Sequence, residues 1–426
     1  MITAESDLSA GTHASTTENA LIKQARAIHK RVITLDTHVD FAPADLVGEQ
    51  NYTQRLDTQF NLPNMIDGGL DGLFFVVYVG QTRETQNPAA FKPTGFERAY
   101  KLAIEKFDAV HRFTREIAPD KIELALDSAD VRRISAQGKK VALIGVENGY
   151  PLGEDIARVK EFYDRGARYL SLTHNGHNQL ADSHIGERDG WKWNGVSPLG
   201  NQVIGEMNRL GIMIDVSHAS KESMMQTAAL SKAPIIASHS GVRALCDMSR
   251  NVDDEQLLAL KQTGGVFQAV AYGGFVKTKR SDSLEHTAAI ANLRREFNLP
   301  DGNGPGHHAR FQSALKRLSD DQRAEYKTKL GEIDTQHYGD PPATVKDFVD
   351  HIDYAVNLIG IEHVGISSDF DGGGGVIGWN DASETFNVTL ELVRCGYTEE
   401  HIEKLWGENL LRVMDKVQRI ATELQR

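Results

Sequence analysis

The chain has 426 residues, with 47 Lys and Arg against 59 Asp and Glu, a formal charge of −12 with histidines neutral. Hydrophobic residues make up 40% and charged residues 25%, a globular composition with a sizeable core, and the acidic balance excludes a dominant electrostatic affinity for nucleic acid or anionic membrane. Sixteen histidines stand against two cysteines, which excludes a disulfide framework or a thiolate zinc site and leaves His, Asp and Glu as donors for any transition metal.

Residues 1–18 are polar and rich in Ser, Thr and Ala, and poor order is predicted there. They lack the apolar core of a secretory signal. As written the chain reads as cytoplasmic, and a periplasmic or secreted form with its signal removed would read the same. Residues 19–426 are predicted to form one domain. No run of about 18 apolar residues occurs, so no transmembrane helix is predicted. Cys246 and Cys395 read as buried thiols, with a single disulfide as the alternative.

A rhythm then recurs. A short β-branched or apolar run ends in a polar or metal-capable residue, and a helical stretch follows. The runs cover residues 32–40, 72–79, 141–147, 169–174, 212–218, 235–239, 265–270 and 364–369. Near-continuous apolar runs are strands buried on both faces, as in a parallel sheet. Residues 277–344 interrupt the rhythm as a long charged insertion with a helix-like stretch at 311–330 and the segment DGNGPGHH. Such an excursion forms a lid, extra helices or an oligomer contact. Behind it, Val345, Phe348, Val349, Ile352, Val356 and Ile359 make a helical stripe with Thr344 as N-cap. Residues 398–424 close the chain as a helix capped by Thr398. Eight strands alternating with helices predict an α/β fold, a (β/α)8 TIM-type barrel elaborated before its last strand.

In such a barrel the functional side chains project from the C-terminal ends of the strands. His38 and Asp40 close the first strand, two residues apart and so on one face. Glu147 closes VALIGVE, His218 closes GIMIDVSH and His239 closes APIIASH. Each follows an apolar run, where a polar side chain is costly unless paired or ligated. Singly, each histidine reads as a hydrogen-bonded core residue. Together, five N and O donors at one end of a barrel point to metal. Five exceed what one tetrahedral zinc takes while leaving a place for water. Two ions are therefore expected, one on His38, Asp40 and Glu147 and the other on Glu147, His218 and His239, although the bridge is not assigned by sequence alone. Asp369, in GISSDFDGGGG, is either a proton-transferring carboxylate beside the metals or a cap on the glycine-rich turn. That turn lacks the Lys and Ser/Thr of a phosphate-binding loop.

The motifs DTHVD, GVENG, THNGHN, DVSH, SHSGVRALCDMSRN and SSDFDGG occur in that order. On these the chain resembles the renal (membrane) dipeptidase family, the M19 metallopeptidases, from about residue 31 to the WGENLLRV segment ending at Val413. The long insertion is similar to that of bacterial-type members. The resemblance implies a metal-dependent hydrolase barrel with two Zn²⁺ per chain, cleaving L-Xaa-(L or D)-Xaa dipeptides through a metal-bridging hydroxide. It implies ligation by His38, Asp40, Glu147 as the bridge, His218 and His239. It further implies that His174 stabilises the oxyanion, that Arg250 holds the C-terminal carboxylate of the dipeptide, and that Asp369 contacts the free amino group and shuttles the proton. Tyr272 assists the carboxylate site by a looser match. A homodimer is implied as well.

Without the family pattern Arg250 reads as a surface helix residue, and His177 competes with His174. A planar guanidinium nevertheless suits a carboxylate. Asp36 is expected to hydrogen-bond near a ligand rather than to ligate. The sequence departs from the animal enzymes in having no cysteine pattern for their disulfides. Its end, ATELQR, has no hydrophobic tail for a lipid anchor. The other readings are an amidase, lactonase or β-lactam-opening hydrolase on the same binuclear site, or a non-catalytic scaffold. A scaffold would show lost ligands, and all five positions and Asp369 are present.

Overall fold

The computed structural model describes residues 6–277, 284–300, 311, 314–315, 317–338 and 342–426. Its strands are β1 Leu35–Val39, β2 Gly72–Tyr78, β3 Ile122–Leu124, β4 Lys140–Glu147, β5 Ala167–Ser171, β6 Met213–Asp215, β7 Ile235–Ser240, β8 Val266–Val270 and β9 Val364–Ser367. All pairings are parallel. Eight strands run in the order β1-β2-β4-β5-β6-β7-β8-β9, with β3 on the side of β4. The ring closes where Val39 bridges Phe370: the Asp40 amide donates to the Phe370 carbonyl at 2.9 Å and the Asp369 amide to the His38 carbonyl at 3.1 Å. The result is the (β/α)8 barrel that the alternating runs predict.

The apolar runs become strands because both faces are covered. Leu73, Phe74, Phe75, Val76 and Val77 of β2 are all buried, which suits a parallel sheet packed inside against itself and outside against helices. Small residues make room for large ones across the interior. A Cβ on Gly145 of β4 would lie 2.0 Å from the Tyr169 ring of β5. Strand β3 was not visible in the sequence. It pairs with residues 140–142 of β4 while β5 pairs further along, at 144–146, and three residues carry too little periodicity to read.

The helix Val345–Ile359 starts at Thr344, whose side chain accepts from the Asp347 amide, and buries Phe348, Val349, Ile352, Ala355 and Ile359. The final helical stretch starts at Thr398 as predicted but is divided, with a π-helical turn at Lys404–Glu408 between Glu399–Glu403 and Asn409–Leu424. The first helix spans Ser6–His29. Its backbone is therefore helical over 6–18, where poor order was expected, while residues 1–5 lie outside the described residues. Of the two thiols, Cys246 is buried, Cys395 is exposed, and the two are not joined. No described helix is long and apolar enough to cross a membrane.

The chain divides into two compact units, Met1–Val276 with Ala343–Arg426, and Lys277–Pro342. The second corresponds to the stretch set apart in the sequence as an insertion. It holds helices Leu284–Glu296 and Asp320–Tyr338 and its own apolar cluster of Leu293, Phe297, Leu299 and Tyr326. Within the predicted 311–330 stretch, residues 311, 314 and 315 are helical and a separate helix starts at Asp320, where Ser319 and Gln322 cap it reciprocally, at 3.0 and 3.2 Å. The DGNGPGHH segment lies outside the described residues.

Gly145→Ala tests the interior packing. The added methyl must displace the Tyr169 ring, so the urea midpoint is expected to fall by the equivalent of about 1–3 kcal/mol. An unchanged midpoint would show that the ring has another place to go.

Candidate metal centre

The strand ends carry the candidate residues into one mouth. His38 lies within β1 and His239 within β7, Glu147 ends β4, and Asp40, His174, His218, Tyr272 and Asp369 follow β1, β5, β6, β8 and β9. The pairing of β1 with β2 shifts register between Asp36 and Val39, and that of β7 with β8 between Ala237 and Ser240. Such bulges re-aim side chains next to active sites, and here each shift brackets a histidine.

Glu147 stands at the centre and is 3% exposed. Its Oε1 lies 3.0 Å from His218 Nε2, 3.3 Å from His239 Nε2, 3.7 Å from His38 Nε2 and 3.9 Å from His174 Nε2. His38 Nε2 is also 3.7 Å from Asp40 and 3.9 Å from Asp369. Three overlapping donor groups have ligand atoms within 4.8 Å of one another: His38, Asp40 and Glu147; Glu147, His174 and His218; and His38, His239 and Asp369. The structure thus brings together all five predicted ligand positions, and His174 and Asp369 stand within the same reach.

The ring nitrogens facing away from Glu147 explain the orientation. Tyr169 Oη donates to the Thr37 carbonyl at 3.1 Å and lies 3.0 Å from His38 Nδ1. Its single proton is spent on Thr37, so His38 must donate from Nδ1. Ser238 Oγ donates to Asp215 at 2.7 Å and lies 2.8 Å from His239 Nδ1, with the same consequence. His218 Nδ1 meets the Asn175 side-chain oxygen at 2.8 Å, an acceptor only. His218 and His239 therefore carry the proton on Nδ1 and turn a bare Nε2 inward, the arrangement of metal-binding imidazoles, and His38, with Nδ1 likewise occupied, would present the same face once a cation replaces the proton on its Nε2. Tyr78 Oη lies 3.2 Å from His174 Nδ1. A hydroxyl free to donate there would leave His174 Nε2 carrying the proton.

The donor set fits a cation. His38 Nε2 is buried without a hydrogen-bond partner, although three carboxylates face it at distances too long for hydrogen bonds. An interposed ion resolves that mismatch. Burial raises Glu147 to about 8 and Asp369 to about 7. Burial also drives His218 and His239 well below the ordinary histidine value, and burial with the Arg250 charge takes His174 down to about 3. Burial acts to lower His38 too, but the Glu147 charge and the Asp40 and Asp369 carboxylates outweigh it and lift His38 to about 9. His218 and Asp369 are held at φ 66° and 59°, a left-handed backbone that non-glycine residues adopt at a cost and that concentrates at functional sites.

Arg250 is not on a surface helix. It lies in the loop after β7 and is 3% exposed. Nη1 donates to Ser240 Oγ at 2.8 Å and Nη2 to the His239 carbonyl at 2.7 Å, while Nε has no partner. Among the described residues no carboxylate lies within ion-pair distance of it. Burial lowers its pKa to about 10. His177 turns away from the centre, holding the Gly190 carbonyl at 2.9 Å and Asp182 at 3.0 Å. Asp36 accepts from the His38 and Ser368 amides at 3.2 and 3.0 Å, so it braces the backbone. Tyr272 stacks on Phe275 with ring centroids 4.1 Å apart. Sequence reasoning did not find Tyr169, Tyr78, Asn175 or Ser238. Ser238 and Asn175 adjoin His239 and His174 in the chain, which was the available signal, while the two tyrosines carried none.

A closed parallel barrel with His, Asp and Glu donors converging at its C-terminal mouth defines a metal-dependent hydrolase of the TIM-barrel class. The model of the membrane dipeptidase family (peptidase family M19) matches residues 22–426, and the chain belongs to that family. It is similar to the dipeptidase aclJ of Aspergillus oryzae, 28% identical over 408 residues, covering 92% of this chain and 80% of the relative. It is also similar to the dipeptidase tcpJ of Claviceps purpurea, 28% identical over 370 residues, covering 87% and 72%. The crystal structure of the probable dipeptidase PvdM from Pseudomonas aeruginosa is 32% identical with a TM-score of 0.75, covering 94% of this chain and 99% of that one. The chain is accordingly a peptide hydrolase of the metallo-dipeptidase type.

Metal occupancy should appear in stability. At a free ion concentration 100 times the dissociation constant, a single site adds about 2.7 kcal/mol. Thermal scans with and without a chelator are expected to show a lower Tm on stripping and recovery on re-addition. Glu147→Ala should abolish the difference.

Proposed function

We propose that the protein is a zinc-dependent dipeptidase for L-Xaa-(L or D)-Xaa substrates, with two Zn²⁺ held by His38, Asp40, Glu147, His218 and His239, and Glu147 common to both. The observation that carries this reading is Arg250. It is a buried guanidinium with an unpartnered Nε, and it hangs on the carbonyl of His239, itself a member of the donor cluster. An anion fork so close to the hydrolytic centre leaves room for a short peptide ending in a free carboxylate.

Bound in this donor set, the ions acidify water and polarise a carbonyl near neutral pH. The chain's own residues do the rest. Arg250 fixes the C-terminal carboxylate, with Tyr272 on the same side. His174, its Nδ1 facing Tyr78, donates from Nε2 to the oxyanion that develops as the carbonyl is attacked. Asp369 holds the free amino group, takes the proton from the attacking water and passes it to the leaving amine. A homodimer is the proposed assembly, and sedimentation velocity reads it directly.

The test is a panel including L-Ala-D-Ala and L-Leu-Gly with zinc-loaded protein. Free amino acids are expected from both, and Asp369→Asn should cut kcat by about 10²–10⁴-fold. Arg250→Lys should raise KM for free-carboxylate dipeptides and leave their C-terminal amides unaffected. If no dipeptide in the panel is cleaved, the proposed activity is wrong.

A further inference from the structure

Two histidines meet at one oxygen beside the donor cluster. Asn175 Oδ1 lies 2.8 Å from His218 Nδ1 and 2.9 Å from His184 Nε2. An amide oxygen accepts and cannot donate, so both ring nitrogens carry protons. His218 Nε2 is left bare towards Glu147 and His239. A neutral His184 likewise has a bare Nδ1, which accepts from Ser249 Oγ at 3.0 Å. The chain of donors therefore has a defined direction: Ser249 to His184, His184 to Asn175, and His218 to Asn175 from the other side.

The backbone repeats the connection. The His184 amide donates to the His218 carbonyl at 2.9 Å, and Ser183 bridges Ala219. At the far end, Ser249 directly precedes Arg250. One hydrogen-bonded chain thus runs from a member of the donor cluster to the loop that presents the guanidinium, through side chains that belong to neither.

We propose that His184 is a positioning residue that, through Asn175, holds His218 in its inward-facing tautomer and ties it to the Arg250 loop. This rests on His218 being a metal ligand. Partners behind a ligand typically govern metal affinity by about 10–100-fold. His184 also spans two loops, so removing it should loosen both ends.

The first measurement is zinc affinity of the full chain, by competition with a chromophoric chelator, with circular dichroism as the check on folding. His184→Ala and Asn175→Leu are expected to weaken binding by about 10-fold or more, while Asn175→Asp, which keeps an acceptor, stays near wild type. The second is hydrogen exchange with and without zinc. Zinc should slow exchange over residues 247–252 in the wild type and not in His184→Ala. Equal affinity in wild type, His184→Ala and Asn175→Leu overturns the positioning role. Equal slowing over 247–252 in wild type and His184→Ala overturns the tie to the Arg250 loop. Neither readout uses substrate, so a failure of the dipeptidase reading alone leaves both decisive. A wild type that binds no zinc overturns the metal reading and this inference with it.

Discussion

The structure is organised around one buried carboxylate. Glu147 ends a strand whose preceding residues, Val141 to Val146, are apolar or glycine and buried, and its own side chain has almost no access to water. An isolated charge there would cost several kcal/mol. Four imidazoles converge on its one oxygen, and the nearest two, His218 and His239, turn to it nitrogens that are bare rather than donating. The offset therefore has to come from a cation held among them, and no local stretch of chain can supply those rings. They come from β1, β5, β6 and β7 or the residues just beyond. Barrel closure, through the pairing of β1 with residues 369–370, is therefore an electrostatic requirement of the site as much as a consequence of sheet twist.

Convergence alone would not make a metal centre, because each imidazole could turn either nitrogen inward. Tyr169, Asn175 and Ser238 remove that freedom for His38, His218 and His239. All three are neutral, so they orient the rings without adding charge. Behind Ser238 stands the carboxylate of Asp215, one hydroxyl removed from His239. Three carboxylates (Asp40, Glu147, Asp369) against one guanidinium (Arg250) leave a formal 1 − 3 = −2 in the cluster. Burial makes that balance costly, and divalent cations are the natural counterweight. The upward shift of Glu147 and the orphaned Nε2 of His38 express the same mismatch.

Much of this was legible in the sequence because parallel strands covered on both faces write themselves as apolar runs, and a single polar residue at the end of such a run stands out. His38, Glu147, His218 and His239 were readable for that reason. The strand lengths were not: β6 stops at Asp215, and His218 lies beyond it with a left-handed backbone, which periodicity cannot anticipate. Arg250 was misread without the family pattern because its burial comes from a loop folding back on β7, a contact distant in kind from helical spacing. The orienting hydroxyls and amide were invisible for a related reason. Tyr169 is simply an inward-facing strand residue until the structure shows that its proton goes to Thr37.

The same connectivity limits how the protein can vary. Arg250 bonds the His239 carbonyl and the Ser240 hydroxyl, so the buried guanidinium and one wall of the donor cluster share a β-bulge. Ser240 in turn lies 3.2 Å from Ser217 Oγ, which carries the constraint across to the residue before His218. Moving the guanidinium would therefore shift His239 with it. Tyr272 and Phe275 stack on each other beside this assembly, with Phe275 5.2 Å from the guanidinium, and neither orients a ring of the cluster. The aromatic pair can therefore vary without disturbing the donor geometry, whereas the guanidinium cannot move without the strands that form the centre.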